Sequence, residues 1–373
     1  MGNAVEDIVI IGAGPAGVAC AWRLAQLGFS PVLLEKEDFP RDKVCGDALS
    51  GKSLAIIRKL GGTEALADLA KQPFSQVVSD LCFIDEKRHR VIVSFPPRNG
   101  LPQGLVSPRK HFDKWLVSHL PTSVRLETRS KVLRIEAVSQ GWCIQRERGK
   151  AIHARFIVGA DGVTSKVAPW VWRFHKLKRP TVYAAVRGYA PGQSSLALEL
   201  YFCSPYLPGY LWVFPVAQGY RNVGIGLPGW IANRKNLSLR QHIKTKFPEV
   251  EEVKGHGIPV SLHNRPLSAP ACALVGDAGA LTDPFTGEGI GNALLSGVRL
   301  AEALAQVPPR LWQVADWEKL YTKPLYKELR QEFRLTRLLH TIARYRFVVN
   351  LLLGYVQHFP SLSQRLLHWY GAS

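Results

Sequence analysis

The stretch "DIVIIGAGPAGVACAWRLAQLGFSPVLLEKE", residues 7–37, decides the fold. Ile8 to Ile11 form a short apolar run suited to a parallel strand buried on both faces. Gly12, Gly14 and Gly17 complete G-x-G-x-x-G, with Pro15 and Ala16 inside the turn. The run from Ala16 to Leu27 has helical composition and apolar periodicity, Gly28 ends it, and Pro31 to Leu34 form a second strand that closes on Glu35 and Lys36. Alone, the glycine pattern says little. Here a strand precedes it, a helix follows it, and Glu35 lies 23 residues beyond Gly12. That context reads as a dinucleotide-binding βαβ unit. Backbone N–H groups would meet a pyrophosphate at the helix N-terminus, where the dipole favours anions, and Glu35 would accept ribose hydroxyls.

The rest of the chain bounds this reading. With 373 residues, 46% hydrophobic and 21% charged, it has the composition of a folded protein of two or three domains. Six cysteines stand far apart without a C-x-x-C, and eleven histidines are scattered, so a disulfide framework and a clustered metal site are both excluded as expectations. The first strand begins close to Met1, leaving no room for a cleavable leader, and Glu6 stands where a myristoylation signal wants Ser or Thr. The longest apolar run near the end, residues 347–356, is about half a bilayer span. These features predict a cytoplasmic protein with reduced thiols. A net charge of +19 calls for an anionic partner, yet the basic residues are dispersed and no nucleic-acid module is present. An anionic membrane surface, on its inner face, or a phosphorylated substrate fits better, and the chain specifies no oligomeric state.

Further along, residues 52–75 read as helix, 81–84 and 90–95 as strands, and 108–120 as a helix opened by Pro108, with two strands before residue 154. Between 181 and 227 the pattern turns to β-structure with aromatic and Pro-Gly punctuation. A helix is expected at 237–247, and everything from 313 onward reads as helical. The fold class is α/β: a Rossmann-like domain interleaved with a β-sheet domain, plus a C-terminal helical tail. The nucleotide domain is expected from 1–75, 105–175 and 265–310, the sheet domain from 76–104 and 176–262, and the tail from 311–373.

Two more glycine-rich segments accompany the first. "VGADGVTSKV" (158–167) ends a strand at Asp161-Gly162, and "VGDAGALTDPFTGEGIGNAL" (275–294) places Gly276-Asp277 at a strand end, then Pro284, Gly287, Gly289 and Ile290 at a helix entrance. Ligands of an open parallel sheet bind at those C-terminal strand edges. A dinucleotide as long as FAD, with a phosphate bridge at one end and a flat ring at the other, would occupy all three.

These segments resemble the flavoprotein hydroxylase superfamily, and "SPRKHFDKWL" adds Arg109, matching the arginine that reaches the flavin there. Three features are similar to the geranylgeranyl reductase family: "PRDKVCGDALS" with Arg41, Cys45 and Gly46; "DPFTGEGIGNAL"; and "YLWVFPVAQGYRNVGIG" (210–226), a Y-x-W-x-F-P…G-x-G pattern. Tyr210 and Phe214 depart from the W-x-W-x-I-P of tryptophan halogenases on the same fold. Asp47 departs from the second glycine that several family members carry after Cys-Gly.

The resemblance implies an FAD-dependent reductase that saturates double bonds of an isoprenoid lipid, geranylgeranyl-type or a polyprenyl quinone. It places Cys45 beside the reacting carbon, as a proton donor or a shaping group; the residues alone equally allow an ordinary buried thiol. Tyr210, Trp212 and Phe214 alternate along one strand and so share a face, which with Pro215 suits an apolar substrate tunnel or a sheet core. Tyr210, Trp212 and Cys45 are the catalytic candidates. No second dinucleotide fingerprint is present, so the reducing partner is read as NADPH visiting transiently or reduced ferredoxin. An aromatic or polyketide monooxygenase of the same fold is the alternative, and a non-catalytic flavin carrier a third. The tail 329–359, with Arg330, Arg334, Arg337, Arg344 and Arg346 among leucines, reads as an amphipathic helix that lies on an anionic membrane or packs on the body.

Overall fold

The βαβ unit forms where its apolar pattern puts it: strand Val5–Ile11, helix Pro15–Gln26, strand Val32–Leu34. A computed structural model describes residues 5–173, 180–192, 195–234 and 237–359. The three segments 176–179, 193–194 and 235–236 of the expected sheet domain, and residues 360–373 of the expected tail, lie outside the described residues.

Five parallel strands make the centre of the first sheet, in the order Cys272–Leu274, Ile152–Gly159, Val5–Ile11, Val32–Leu34, Arg125–Glu127. The short strand Ser268–Ala269 pairs antiparallel at one edge, and a hairpin of Val132–Val138 and Gly141–Arg146 pairs with Ile152–Gly159. That hairpin gives three strands between 125 and 146, where the sequence pattern showed two. Both sheet faces are covered, which is why its strands are continuous apolar runs. One face packs on Pro15–Gln26 and on Ile290–Ala305; the other on the hairpin and on helix Ala168–Trp172.

The second sheet has seven strands, ordered Glu251–Pro259, Val182–Pro191, Tyr220–Pro228, Tyr210–Val216, Ala197–Phe202, Asp80–Asp85, Arg90–Ser94. All neighbours are antiparallel except Ala197–Phe202 with Asp80–Asp85. Period-2 alternation sorts its side chains. Leu211, Val213, Val223 and Ile225 face outward onto helices Gly229–Arg234 and Leu239–Lys246. Trp212, Phe214, Leu200 and Ala185 face inward, toward the first sheet. A small third sheet, Ala48–Leu49, Leu105–Val106 and Gln76–Val77, joins the two.

The expected helices at 52–75, 108–120 and 237–247 appear as Gly51–Lys71, Arg109–Ser118 and Leu239–Lys246. Gly51–Lys71 is broken at Gly62, whose φ of 77° no right-handed helix contains. The tail is less continuous than its composition suggested. Glu318–Thr322 is a wide turn leading into Lys323–Glu328, and helices Arg330–Ile342 and Arg346–Val356 are separated by Ala343–Tyr345. The expected single amphipathic helix is therefore a bent pair, because Ala343 is buried against the body while Tyr345 turns out to solvent.

Candidate active site

A cavity of about 550 Å³ lies between the two sheets. Its floor comes from the three glycine-rich segments and its roof from the inward face of the second sheet. Gly14, Pro15 and Ala16, then Gly162, then Asp277, and finally Gly287, Gly289 and Ile290 all line it. Opposite stand Tyr210, Trp212 and Phe214, with Cys45 and Gly46 along one side. Residues separated by more than two hundred positions are brought together because the parallel sheet aligns its C-terminal edges on one side.

The cavity suits a long dinucleotide. Helix Pro15–Gln26 starts at Gly14 with no side-chain cap, so its first N–H groups face the cavity unclaimed by a side chain. A Cβ on Gly14 would enter that space, since nothing lies nearer than Arg41 Nη2 at 3.9 Å. At the other end, the first turn of Ile290–Ala305 brings Gly289 and Ile290 to the wall, a second place where backbone N–H groups can meet an anion. Asp277 stands between them. Burial works to raise its carboxyl, but Lys43 Nζ, donating to Oδ2 at 3.0 Å, and Thr282 Oγ1, donating to Oδ1 at 3.0 Å, hold it below the ordinary carboxylate range.

Several candidates sit behind this surface. Glu35 accepts the Ala13 N–H at 3.1 Å and Arg41 Nη2 at 3.1 Å. Arg41 also donates to the Ala13 carbonyl at 3.3 Å and, through Nη1, to Asp113 at 2.9 Å. Arg109 reaches the cavity edge, yet its guanidinium is held by Asp113 through two bonds of 2.6 Å. Lys36 is exposed and pairs with Glu37. Asp161 accepts the Lys166 N–H at 2.6 Å, Gly12 and Gly17 pack within the turn, and Gly276 packs between Ala16 and Ala293. The Pro284 carbonyl accepts the Tyr183 hydroxyl at 3.4 Å, and Pro215 lies within its strand opposite Arg221.

The aromatic wall explains its own motif. Tyr210 and Trp212 pair directly with Gly226 and Gly224 on the next strand. The Trp212 ring lies over Gly224, where a Cβ would collide with it. The G-x-G half of the pattern is the bed on which the aromatic half lies. Trp212 Nε1 donates to Asn222 Oδ1 at 2.8 Å, and the Tyr210 hydroxyl donates to the Thr286 carbonyl, tying the wall to the 283–291 loop. Cys45 has its thiol pushed up, by burial first, with Arg109 opposing, so it is a neutral S–H at ordinary pH.

Two groups lie outside the candidate residues. Lys52 lines the cavity and donates to Asn292 Oδ1 at 2.7 Å and to Glu332, which arrives from the tail. Glu288, also on the wall, accepts the Gly291 N–H at 2.6 Å. Burial raises the carboxyls of Asp283 and Glu288 and pushes Glu332 up to about 7, with Lys52 opposing it. The second group surrounds Asp47, whose carboxyl is raised to about 6 by burial against the pull of Arg187.

Comparison with known proteins agrees with this geometry. A family model described as an FAD binding domain matches residues 6–172. A digeranylgeranylglycerophospholipid reductase from Methanosarcina mazei is 32% identical over 313 residues, covering 80% of this chain and 74% of its own. The chain belongs to the geranylgeranyl reductase family. It is an FAD-dependent oxidoreductase with the flavoprotein hydroxylase fold. Another relative of this geranylgeranyl reductase-like chain, a menaquinone reductase from Mycobacterium tuberculosis, is 30% identical over 329 residues, 82% of this chain and 78% of that one. The same fold is seen in a geranylgeranyl bacteriochlorophyll reductase-like protein from Thermoplasma acidophilum, with a TM-score of 0.78 at 23% identity over 99% of this chain and 100% of that one.

Proposed function

We propose that this geranylgeranyl reductase-like chain saturates carbon–carbon double bonds in the isoprenoid part of a lipid. The observation that carries the reading is the apolar aromatic wall of Tyr210, Trp212 and Phe214 facing the flavin-type floor across one cavity. FAD, when bound, would supply the hydride chemistry. Gly12, Gly14, Pro15, Ala16 and Gly17 with their helix would take its pyrophosphate, and Glu35, oriented by Arg41 and flanked by Lys36, its ribose. Asp161-Gly162 and Gly276-Asp277 would follow its middle, while Pro284, Gly287, Gly289 and Ile290, opposite Cys45, Gly46 and Arg109, would frame the ring. Trp212 and Phe214, with Tyr210 and Pro215 bracing them, would exclude water and align the alkene. Cys45, neutral and on the wall, can hold a proton at Sγ. This assigns the FAD-binding part to 1–75, 105–175 and 265–310, and the substrate sheet to 76–104 and 176–262.

A lipid substrate also calls for contact with a bilayer. Among the described residues no helix is long and apolar enough to cross one. Helix Arg346–Val356 instead exposes Phe347, Leu351, Leu352 and Tyr355, and Arg330, Arg334, Arg344 and Arg346 are exposed beside it. Arg337 is turned inward, donating to the Ser261 carbonyl at 2.8 Å. Such a face suits the interface of an anionic membrane at its inner surface.

The deciding experiment incubates the purified flavoprotein with geranylgeranyl phospholipid or polyprenyl quinone, under NADPH or reduced ferredoxin, and weighs the product. A gain of two hydrogen masses per double bond is expected, and Trp212→Ala is expected to lower it about tenfold or more with flavin content unchanged. A hydroxylated product formed with oxygen would instead establish the monooxygenase reading. Loss of flavin from Trp212→Ala would remove that residue from the substrate wall.

A further inference from the structure

Residues 42–47 carry Cys45 along the cavity yet are stitched to the opposite sheet. Arg187 Nη2 donates to Asp42 Oδ1 at 2.6 Å and to the Lys43 carbonyl at 3.2 Å. Asn222 Nδ2 donates to the Cys45 carbonyl at 2.9 Å and to Asp47 Oδ2 at 2.7 Å, while its Oδ1 accepts the Trp212 ring N–H. The Tyr189 hydroxyl donates to the same Asp47 oxygen at 2.6 Å. From the other side, Arg109 N–H donates to Asp47 Oδ1 at 3.2 Å, and Ser107 N–H to the Asp47 carbonyl at 2.9 Å. Between the two anchored residues, Gly46 lies flat on the aromatic wall: a Cβ there would stand 2.8 Å from the Phe214 ring.

Asp47 bears two costs. Its side chain is wholly shielded from water, and its φ of 65° belongs to the left-handed region that glycine occupies more cheaply. Glycine would fit this backbone but would release Tyr189, Asn222 and the Arg109 N–H from their shared acceptor. Those three donors come from two strands of the second sheet and one helix of the nucleotide half.

We propose that Asp47 is a positioning residue: through Asn222 it fixes the Cys45–Gly46 loop against Trp212 and Phe214 and so sets the width of the cavity between the cysteine and the aromatic wall. Its effect on turnover rests on the isoprenoid-reductase reading; its effect on the loop does not. The test compares wild type, Asp47→Gly and Asp47→Asn by iodoacetamide labelling of the purified flavoprotein, with each cysteine mapped by mass spectrometry. Cys20, fully buried, reports whether the fold survives. Asp47→Gly is expected to speed Cys45 labelling about tenfold or more with Cys20 still protected, and Asp47→Asn, which keeps an acceptor, to stay within about threefold. Turnover should fall in kcat more than KM rises. Wild-type labelling of Cys45 in Asp47→Gly overturns the proposal, as does faster labelling with unchanged turnover of a confirmed substrate. If Cys20 becomes labelled, Tyr189→Phe carries the test: a smaller rise at Cys45 alone supports the idea, and no rise overturns it. Failure of every isoprenoid substrate would leave the labelling contrast intact, which separates the two readings.

Discussion

Two sets of buried charges flank the cavity, and they differ in balance. Beneath the first glycine turn, Glu35 and Asp113 face Arg41 and Arg109, two carboxylates against two guanidinium groups, joined by bonds of 2.6–3.1 Å. Beneath the last glycine loop, Glu288 and Glu332 face Lys52, and the charge of Asp283 works to raise both of their carboxyls. The first set is matched in charge and joined by hydrogen bonds, with the buried Arg41 Nε left without a partner; such pairing is the condition under which buried ions are tolerated. The second is short of positive charge, and burial raises its carboxyls, that of Glu332 to about 7. Matching makes a brace; mismatch leaves raised carboxyls beside the wall that Glu288 and Lys52 share with the cavity.

The largest effect should come from breaking the brace. Asp113→Leu leaves Arg109 buried without its partner, and chemical denaturation should show a loss of about 3–5 kcal/mol. A loss below about 1 kcal/mol would mean that the brace contributes little. The mismatched set predicts the opposite sign. Glu332 titrates near 7 in the fold against an ordinary value of 4.5, so its contribution is fully present below 4.5 and is lost as pH rises through 7. The difference in unfolding free energy between wild type and Glu332→Gln should therefore move in favour of the variant across that window, by at most about 1.4 kcal/mol per pH unit. A difference that does not change with pH would show Glu332 to be ionised throughout. The smallest effect on stability lies farthest from both sets. Leu351→Asp, on the exposed face of Arg346–Val356, should change stability by less than about 0.5 kcal/mol while reducing flotation with anionic liposomes. Unchanged flotation would remove this helix from the membrane reading.

The nucleotide half was legible because its signals are local. Strand, glycine turn, helix and acid follow one another within residues 7–37, and each has a steric or electrostatic reason visible in its own neighbourhood. The shared face of Tyr210, Trp212 and Phe214 was legible for a similar reason, since strand periodicity alone sets it. The bent tail, the Lys52–Glu332 pair and the Asp47 anchor were not. Lys52 and Glu332 stand 280 residues apart, and Asp47 and Asn222 stand 175 apart, so no pattern in either neighbourhood hints at the other. The Asp47 departure could be noticed, but its purpose could not be read without the donors that surround it.

By itself, then, the sequence determined the βαβ unit, the three glycine-rich edges and the inward aromatic stripe, because backbone sterics and side-chain alternation act over a few residues. Only the tertiary structure decided which charges meet, which carboxyls burial raises, and that the Cys45 loop is held by the opposite sheet. Those outcomes depend on burial and on donors from distant strands, and desolvation is a property of the packed molecule rather than of any segment.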